Sequence, residues 1–233
     1  MAQANSQALV TLSLGRKGAE WLALSGPFFE AYARRNGCDF VVMDKRLVRH
    51  RIQWRKWRVN LQLEKYQLGP LLDRYERVIF ADADLILTPN CPNLFDMLPA
   101  ERLGVVADPA GEQMWKRDEE MANMQARFGA LQGATPAYFN SGLMLLSGVH
   151  RELFSFDAKT LLPGRWPEQT ALNYYSAKWE LPRQYLPEKC NFLPGHCGWD
   201  EQAARLEAWG VHYAGVASKE LMKRDAAIMA RSL

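Results

Sequence analysis

The sequence predicts an α/β fold: a single domain over residues 1–233 in which helices flank a mostly parallel central sheet. Three observations carry this. Apolar runs of strand length recur along the chain, helical stripes separate them, and 233 residues is an ordinary length for one α/β unit. No internal repeat, low-complexity tract or interdomain linker interrupts the pattern.

Residues 8–14 form a short apolar run suited to a buried strand. Behind it Trp21, Leu24, Phe28 and Tyr32 recur at helical steps, but Ser25-Gly26-Pro27 lies within the stripe. Proline lacks the N–H that an interior turn needs, so two helices are expected, with Pro27 in the first turn of the second. Residues 40–43 read as the second strand, 59–73 as a helix, and 78–81 as a strand that ends in Asp82. Further strands are expected at 103–107 and 142–146. Residues 112–128 read as a helix with Met114, Met121, Met124 and Phe128 on one side, a stripe more typical of core packing than of a specific binding surface. Pro167 opens a further helix that runs to about Trp179.

Composition excludes several classes. Hydrophobic residues at 48% and charged residues at 24% rule out a disordered chain. A net charge of +3 is too small to argue for nucleic acid, and no nucleic-acid partner is expected. The charge is unevenly spread, because residues 45–58 (KRLVRHRIQWRKWR) carry seven Lys or Arg and no acid, with Trp54 and Trp57 interleaved. Such a run suits phosphate, an anionic acceptor or a membrane surface, and equally a solvated loop and helix start. Cys38, Cys91, Cys190 and Cys197 lack metal-site spacing, even with His196 close by, and read as reduced, packed thiols. No signal peptide opens the chain and no apolar stretch nears the ~20 residues of a membrane helix. The expected location is the cytoplasm, peripheral to a membrane if residues 45–58 meet one.

The chemistry centres on Asp82-Ala83-Asp84, set at the end of a buried strand. Ligands of open α/β sheets bind at the carboxyl ends of strands, and two carboxylates there can share a hard divalent cation. A solvated turn would also accommodate them. Lys65 falls on the stripe Leu61, Lys65, Leu68, Leu72, which should face the core, so its ammonium needs a partner such as Asp82 or Asp84, or else reaches water. Tyr138-Phe139-Asn140-Ser141-Gly142 leads into an apolar strand and lets a ligand approach the backbone, though a plain turn explains it as well. Glu168 and Gln169 stand in the first turn of a helix, where an inward carboxylate is either an electrostatic cap or a contact for sugar hydroxyls. His212, on a short strand, is either structural or a third metal ligand.

Taken in order, these blocks resemble the family 8 retaining glycosyltransferases, the family of glycogenin and the bacterial lipopolysaccharide galactosyltransferases. The matching segments are LEKYQLGPLLDRYERVIFADADLIL, YFNSGLMLLS, PEQTALN, LPEKCNFLPG and HYAG, and they extend over most of residues 8–219. The resemblance implies a GT-A (Rossmann-like) fold and a nucleotide-sugar donor, UDP-glucose, UDP-galactose or similar. It also implies Mn²⁺ or Mg²⁺ and a hydroxyl acceptor on a glycan, glycolipid or protein. Asp82, Asp84 and His212 would be the metal ligands. Lys65 would meet the donor or the carboxylates, with Asn140 and Ser141 in the sugar pocket. Glu168 would bind sugar hydroxyls, and Gln169 would lie near the anomeric carbon. Thr11, Leu12 and Ser13 would hold the nucleoside, Ala83 and Asp108 would line the donor pocket, and Gly215 and Lys219 would face the diphosphate. Residues 1–110 would form the nucleotide half and 111–233 the acceptor half.

Three departures stand out. Glu168 occupies a position where the family usually has Asp, which bears on donor identity. The family's Lys-Pro-Trp after His-x-x-Gly is reduced to Lys219, one residue late, which weakens its phosphate role. Residues 111–137 exceed the compact members in length and suit an acceptor-side helix or a lid. Two alternatives compete. A phosphatase of the haloacid-dehalogenase type also carries Asp-x-Asp after a strand, but near its start, whereas about eighty residues precede it here. A non-catalytic nucleotide- or glycan-binding relative would be expected to lose metal ligands, and this chain has all three.

Overall fold

A computed structural model describes residues 6–47, 61–108, 114–155, 157–197, 201–214 and 218–233. The basic run beyond Leu47, with Trp54 and Trp57, lies outside the described residues, as do Gly215 and residues 111–113.

The chain opens with β1 (Gln7–Leu12), α1 (Gly15–Asn36) and β2 (Asp39–Met43). A 3-10 helix (Leu61–Gln67) runs into the short α2 (Leu68–Leu72), followed by β3 (Arg77–Ala81), β4 (Leu85–Leu87) and β5 (Leu103–Ala107). Then come α3 (Met114–Phe128), β6 (Phe139–Ser147), α4 (Pro167–Lys178) and β7 (Arg183–Tyr185). The last elements are α5 (Pro194–Cys197), α6 (Gln202–Glu207), β8 (Gly210–His212) and α7 (Ser218–Met229).

Six strands form one sheet in the order β2-β1-β3-β6-β5-β7. β1 pairs in parallel with β2 and β3, Leu9 standing opposite Phe40 on one side and Ile79 on the other. β6 is antiparallel to both β3 and β5, and β7 is parallel to β5, so five strands share a direction and β6 alone is reversed. The sheet is therefore mostly parallel, as expected. Alternation along the strands splits the core. Val10, Phe80 and Met144 face Met124 and Leu172, while Leu9, Ile79 and Leu145 face Phe29, Tyr32 and Leu94. A second, two-stranded ribbon pairs β4 with β8 antiparallel, and its Ile86 and Val211 pack on Phe28 and Met222.

Local expectations fail in three places, each for a physical reason. α1 is one continuous helix with Pro27 inside it, not two. An interior proline costs about 3 kcal/mol. Phe28, Phe29 and Tyr32, each at most 2% exposed, lie just beyond it. Burying each of them returns about 1.5–3 kcal/mol, so packing outweighs the lost hydrogen bond. The segment expected as a helix over 59–73 is 3-10 in its first half, which turns the consecutive residues Leu63, Glu64, Lys65 and Tyr66 all inward. Pro70, with no N–H to give, interrupts the α ladder there. β6 begins at Phe139 rather than at Gly142, because its first residues pair with β5 before the register shifts. Of the methionine stripe on α3, Met121 and Met124 are buried while Met114 is exposed. Cys38, Cys91 and Cys190 are free and buried, in keeping with packed thiols.

Candidate active site

That register shift builds the site. Val105 opposes Met144 and the next residue, Val106, opposes Asn140, so Ser141, Gly142 and Leu143 bulge out of the β5–β6 ladder. On the other side Gly142 stays bound to the end of β3, its carbonyl accepting from Asp82 N at 2.9 Å. The bulge thus lies against Asp82-Ala83-Asp84, which turns sharply through Leu85 N to Asp82 O at 2.9 Å. Ser25 of α1 donates to the Ala83 carbonyl at 2.8 Å, and Tyr213 N bonds Asp84 O at 2.8 Å. The turn is fixed from three directions.

Lys65 reaches it from the 3-10 helix. Its Nζ lies 3.1 Å from Asp82 Oδ2, 3.3 Å from Glu168 Oε1, 3.1 Å from Ser141 Oγ and 3.2 Å from the Ser141 carbonyl. The residue is 2% exposed, so the inward side chain does not snorkel. Burial depresses the Lys65 ammonium, but Asp82 and Glu168 outweigh that effect and raise it. Burial lifts the Glu168 carboxyl; Lys65 opposes the rise and Asp82 adds to it, and the group ends raised.

Asp82, Asp84 and His212 bring their ligand atoms within 4.8 Å of one another. His212 Nε2 is 3.3 Å from Asp84 Oδ1 and 4.0 Å from Asp82 Oδ2. Its tautomer follows from a chain of contacts. Gly142 N donates to Asn140 Oδ1 at 2.8 Å, so the Asn191 atom 3.0 Å from that oxygen is the Nδ2 donor. Asn191 Oδ1 then faces His212 Nδ1 at 3.0 Å and must accept its proton, which leaves Nε2 directed at the carboxylates. A Cβ on Gly142 would stand 2.2 Å from His212 Cε1, so only glycine lets the ring approach. Burial raises Asp84 and lowers His212, but their attraction reverses both: Asp84 ends lowered and His212 raised. A proton and a cation therefore compete for Nε2. Two hard carboxylates and one oriented imidazole fit Mn²⁺ or Mg²⁺.

Gln169 Oε1 accepts from Ser141 N at 3.0 Å and from its hydroxyl at 3.2 Å, while its Nε2 points to Asp108 Oδ2 at 3.5 Å. Asp108 is paired with Arg117 at 2.9 Å, and the guanidinium stacks between Tyr138 and Trp166. Leu12, Lys17, Trp21, Lys65, Asp82 and Asp84 line a cleft of about 240 Å³. Thr11 and Ser13 flank Leu12 in sequence and are buried without lining the cleft, and the Thr11 hydroxyl has no hydrogen-bond partner among the described residues. Lys219 stands apart from these groups and is bound to Glu20 of α1.

The structure therefore gathers Lys65, Asp82, Asp84, Asn140, Ser141, Glu168, Gln169 and His212 in one place. Asn191, Gly142 and Arg117 gained no individual role from the sequence. Asn191 and Gly142 do lie within the matching segments LPEKCNFLPG and YFNSGLMLLS, whereas Arg117 carries no local signal.

No family model and no curated protein sequence matches the chain. Solved structures do. A glycosyltransferase that glycosylates the major capsid of PBCV-1 aligns over 94% of this chain and 99% of its own, at 14% identity and a TM-score of 0.60. The galactosyltransferase LgtC, complexed with donor and acceptor sugar analogs, aligns over 95% and 96%, at 15% identity and a TM-score of 0.60. The chain has the GT-A fold. The bifunctional glycosyltransferase WbbM repeats it over 100% of this chain and 51% of its own, at 14% identity and a TM-score of 0.57. Asp82 and Asp84 of the metal-type triad follow β3, at the carboxyl end of the parallel strands, and His212 joins them from β8. Among the described residues no helix is long and apolar enough to cross a membrane.

Proposed function

We propose that this chain is a divalent-metal-dependent glycosyltransferase that moves a hexose from a nucleoside-diphosphate sugar, a UDP-hexose, to a hydroxyl acceptor with retention of configuration. One observation carries the proposal. A triad of cation-ligating type shares Asp82 with a buried Lys65–Glu168–Ser141–Gln169 cluster, so a diphosphate-binding centre and a sugar-binding centre meet at one residue.

Asp82, Asp84 and His212 would hold Mn²⁺ or Mg²⁺, which supplies charge neutralisation of the leaving diphosphate. Asn191 orients His212, and Ser25 fixes the Asp-x-Asp turn. Lys65 holds Asp82 and Glu168 at a fixed separation, so both carboxylates are preorganised before the donor arrives. Glu168 binds sugar hydroxyls, and Gln169, clamped by Ser141 and Asp108, stands beside the anomeric carbon. The acceptor hydroxyl attacks that carbon on the face the diphosphate leaves. The carbon–oxygen bond to phosphate breaks with its electron pair on the phosphate oxygen, which takes the acceptor proton. Double displacement would need Glu168 as nucleophile, and its Oε1 is already turned to Lys65. Residues 111–233 would provide the acceptor side.

Calorimetric titration of UDP with and without Mn²⁺ tests the proposal. Binding that requires the metal supports it and opens a screen of UDP-sugars; no binding in either condition overturns it. An inverted product anomer would overturn the same-face mechanism alone.

A further inference from the structure

Charge counting at the site leaves a deficit. Three carboxylates, Asp82, Asp84 and Glu168, face one ammonium, that of Lys65. A divalent cation would only bring this set to neutrality, so a diphosphate that shares the cation still leaves the centre net negative. Lys65 is already occupied by four contacts, and Lys219 is bound to Glu20. The cleft holds one more cation among the described residues. Lys17, exposed and without an ion pair there, lines it together with Asp82 and Asp84.

Its surroundings suit an anion. α1 has no side-chain N-cap and no acid in its first turn, which instead carries Arg16 and Lys17. That reverses the usual preference for negative charge at the positive end of a helix dipole, an arrangement that is unfavourable until an anion arrives. Gly18 brings that turn close, since a Cβ on it would stand 2.8 Å from the Ser13 carbonyl carbon. The Ser13 hydroxyl lies 3.3 Å from the same point, and the residue is 7% exposed. Among the described residues that hydroxyl has no hydrogen-bond partner.

We propose that Lys17, with the first turn of α1 and the Ser13 hydroxyl, forms the diphosphate clamp of the donor site, the duty the family resemblance implies for Lys219. The inference rests on the donor-site proposal above. It makes the Glu20–Lys219 contact a structural tie between α1 and α7.

The test is calorimetry of the full chain with Mn²⁺, comparing UDP with uridine. Lys17→Ala should weaken UDP binding about tenfold, as expected for a lost charge-assisted phosphate contact, and leave uridine unchanged. Lys17→Arg should restore most of the loss. Arg16→Ala removes the same charge one residue away, from a side chain that is 94% exposed and paired with Glu20, and should change UDP affinity less than twofold. Equal losses in Lys17→Ala and Arg16→Ala, an unchanged Lys17→Ala, or a phosphate-specific loss in Lys219→Ala instead would overturn the clamp. If wild type binds no UDP, the donor proposal falls and inorganic pyrophosphate with Mn²⁺ becomes the probe. Pyrophosphate binding that depends on Lys17 sustains the clamp; binding that is absent or independent of Lys17 overturns it.

Discussion

Two of the molecule's buried charge clusters are built differently. Near the end of the chain Arg205 is 3% exposed and Asp225 is fully buried, with Nε to Oδ2 at 2.6 Å and Tyr213 donating to the same carboxylate at 2.9 Å. One positive charge meets one negative charge, and the cluster closes on itself. At the end of β3 one ammonium meets three carboxylates, and the Asp82 and Asp84 side chains keep 25% and 27% of their surface open. A balanced buried pair holds elements together, whereas an unbalanced cluster with an open side is incomplete without something charged from outside.

The sharpest way to break the contrast is to remove one charge from each cluster. Asp84→Ala should cut transfer roughly 10³-fold, the scale of losing a transition-state electrostatic contact. The melting temperature should barely move, because the turn keeps its backbone bonds to Leu85 and Tyr213. Wild-type turnover in this variant would end the metal assignment. Arg205→Met should do the reverse, destabilising by about 3–5 kcal/mol in urea unfolding by leaving Asp225 buried without a countercharge, while turnover per folded molecule survives. Adding Asp225→Leu should recover most of that stability.

A neutral buried group gives a third term for comparison. His150 accepts from Ser147 N at 3.0 Å, and burial lowers its imidazole to about 4. The unfolded chain takes up a proton near pH 6.5 and the folded chain does not until about 4, so stability present above pH 6.5 is lost as the pH falls between them. The loss should be on the order of 3 kcal/mol, and chemical unfolding at pH 7 and pH 4.5 with a His150→Gln control would measure most of it. Gly142→Ala should displace His212 and weaken Mn²⁺ binding about 10–100-fold without loss of fold, checked by metal titration. The smallest effect belongs to two helix ends. α1 closes with Gly37 at φ 64°, while past α4 Glu180 holds φ 51°. Glu180→Gly should stabilise by up to about 1 kcal/mol, read from urea unfolding.

What was legible in the sequence was local or in matching segments. Strands such as Arg77–Ala81 and Leu103–Ala107 declare themselves because four residues of each are buried in an unbroken run. Lys65 stood out for the same reason, as a charge on an apolar stripe, and the structure brings it to Asp82. What stayed hidden depends on contacts distant in sequence. Pro27 breaks a helix by local rules, and only the packing of Phe28, Phe29 and Tyr32 against the sheet reverses that. The bulge at Ser141 to Leu143 arises from how β6 pairs with two strands in two registers, which no window of residues contains. Asn191 matters because it lies between Asn140 and His212, an adjacency of three segments. Arg117 reads as an ordinary helix charge until Asp108, Tyr138 and Trp166 close around it.

The three buried thiols turn the protein into its own stopwatch. Burial pushes Cys38 up to about 11 and Cys190 up to about 12, and raises Cys91 as well, so all three should alkylate slowly while the fold is shut. Cys38 marks the joint between α1 and β2, Cys91 the stretch after β4, and Cys190 the approach to β8. The order in which they become alkylated records which seam opens first. A bound nucleotide that ties α1 to the Asp-x-Asp turn should slow all three clocks together.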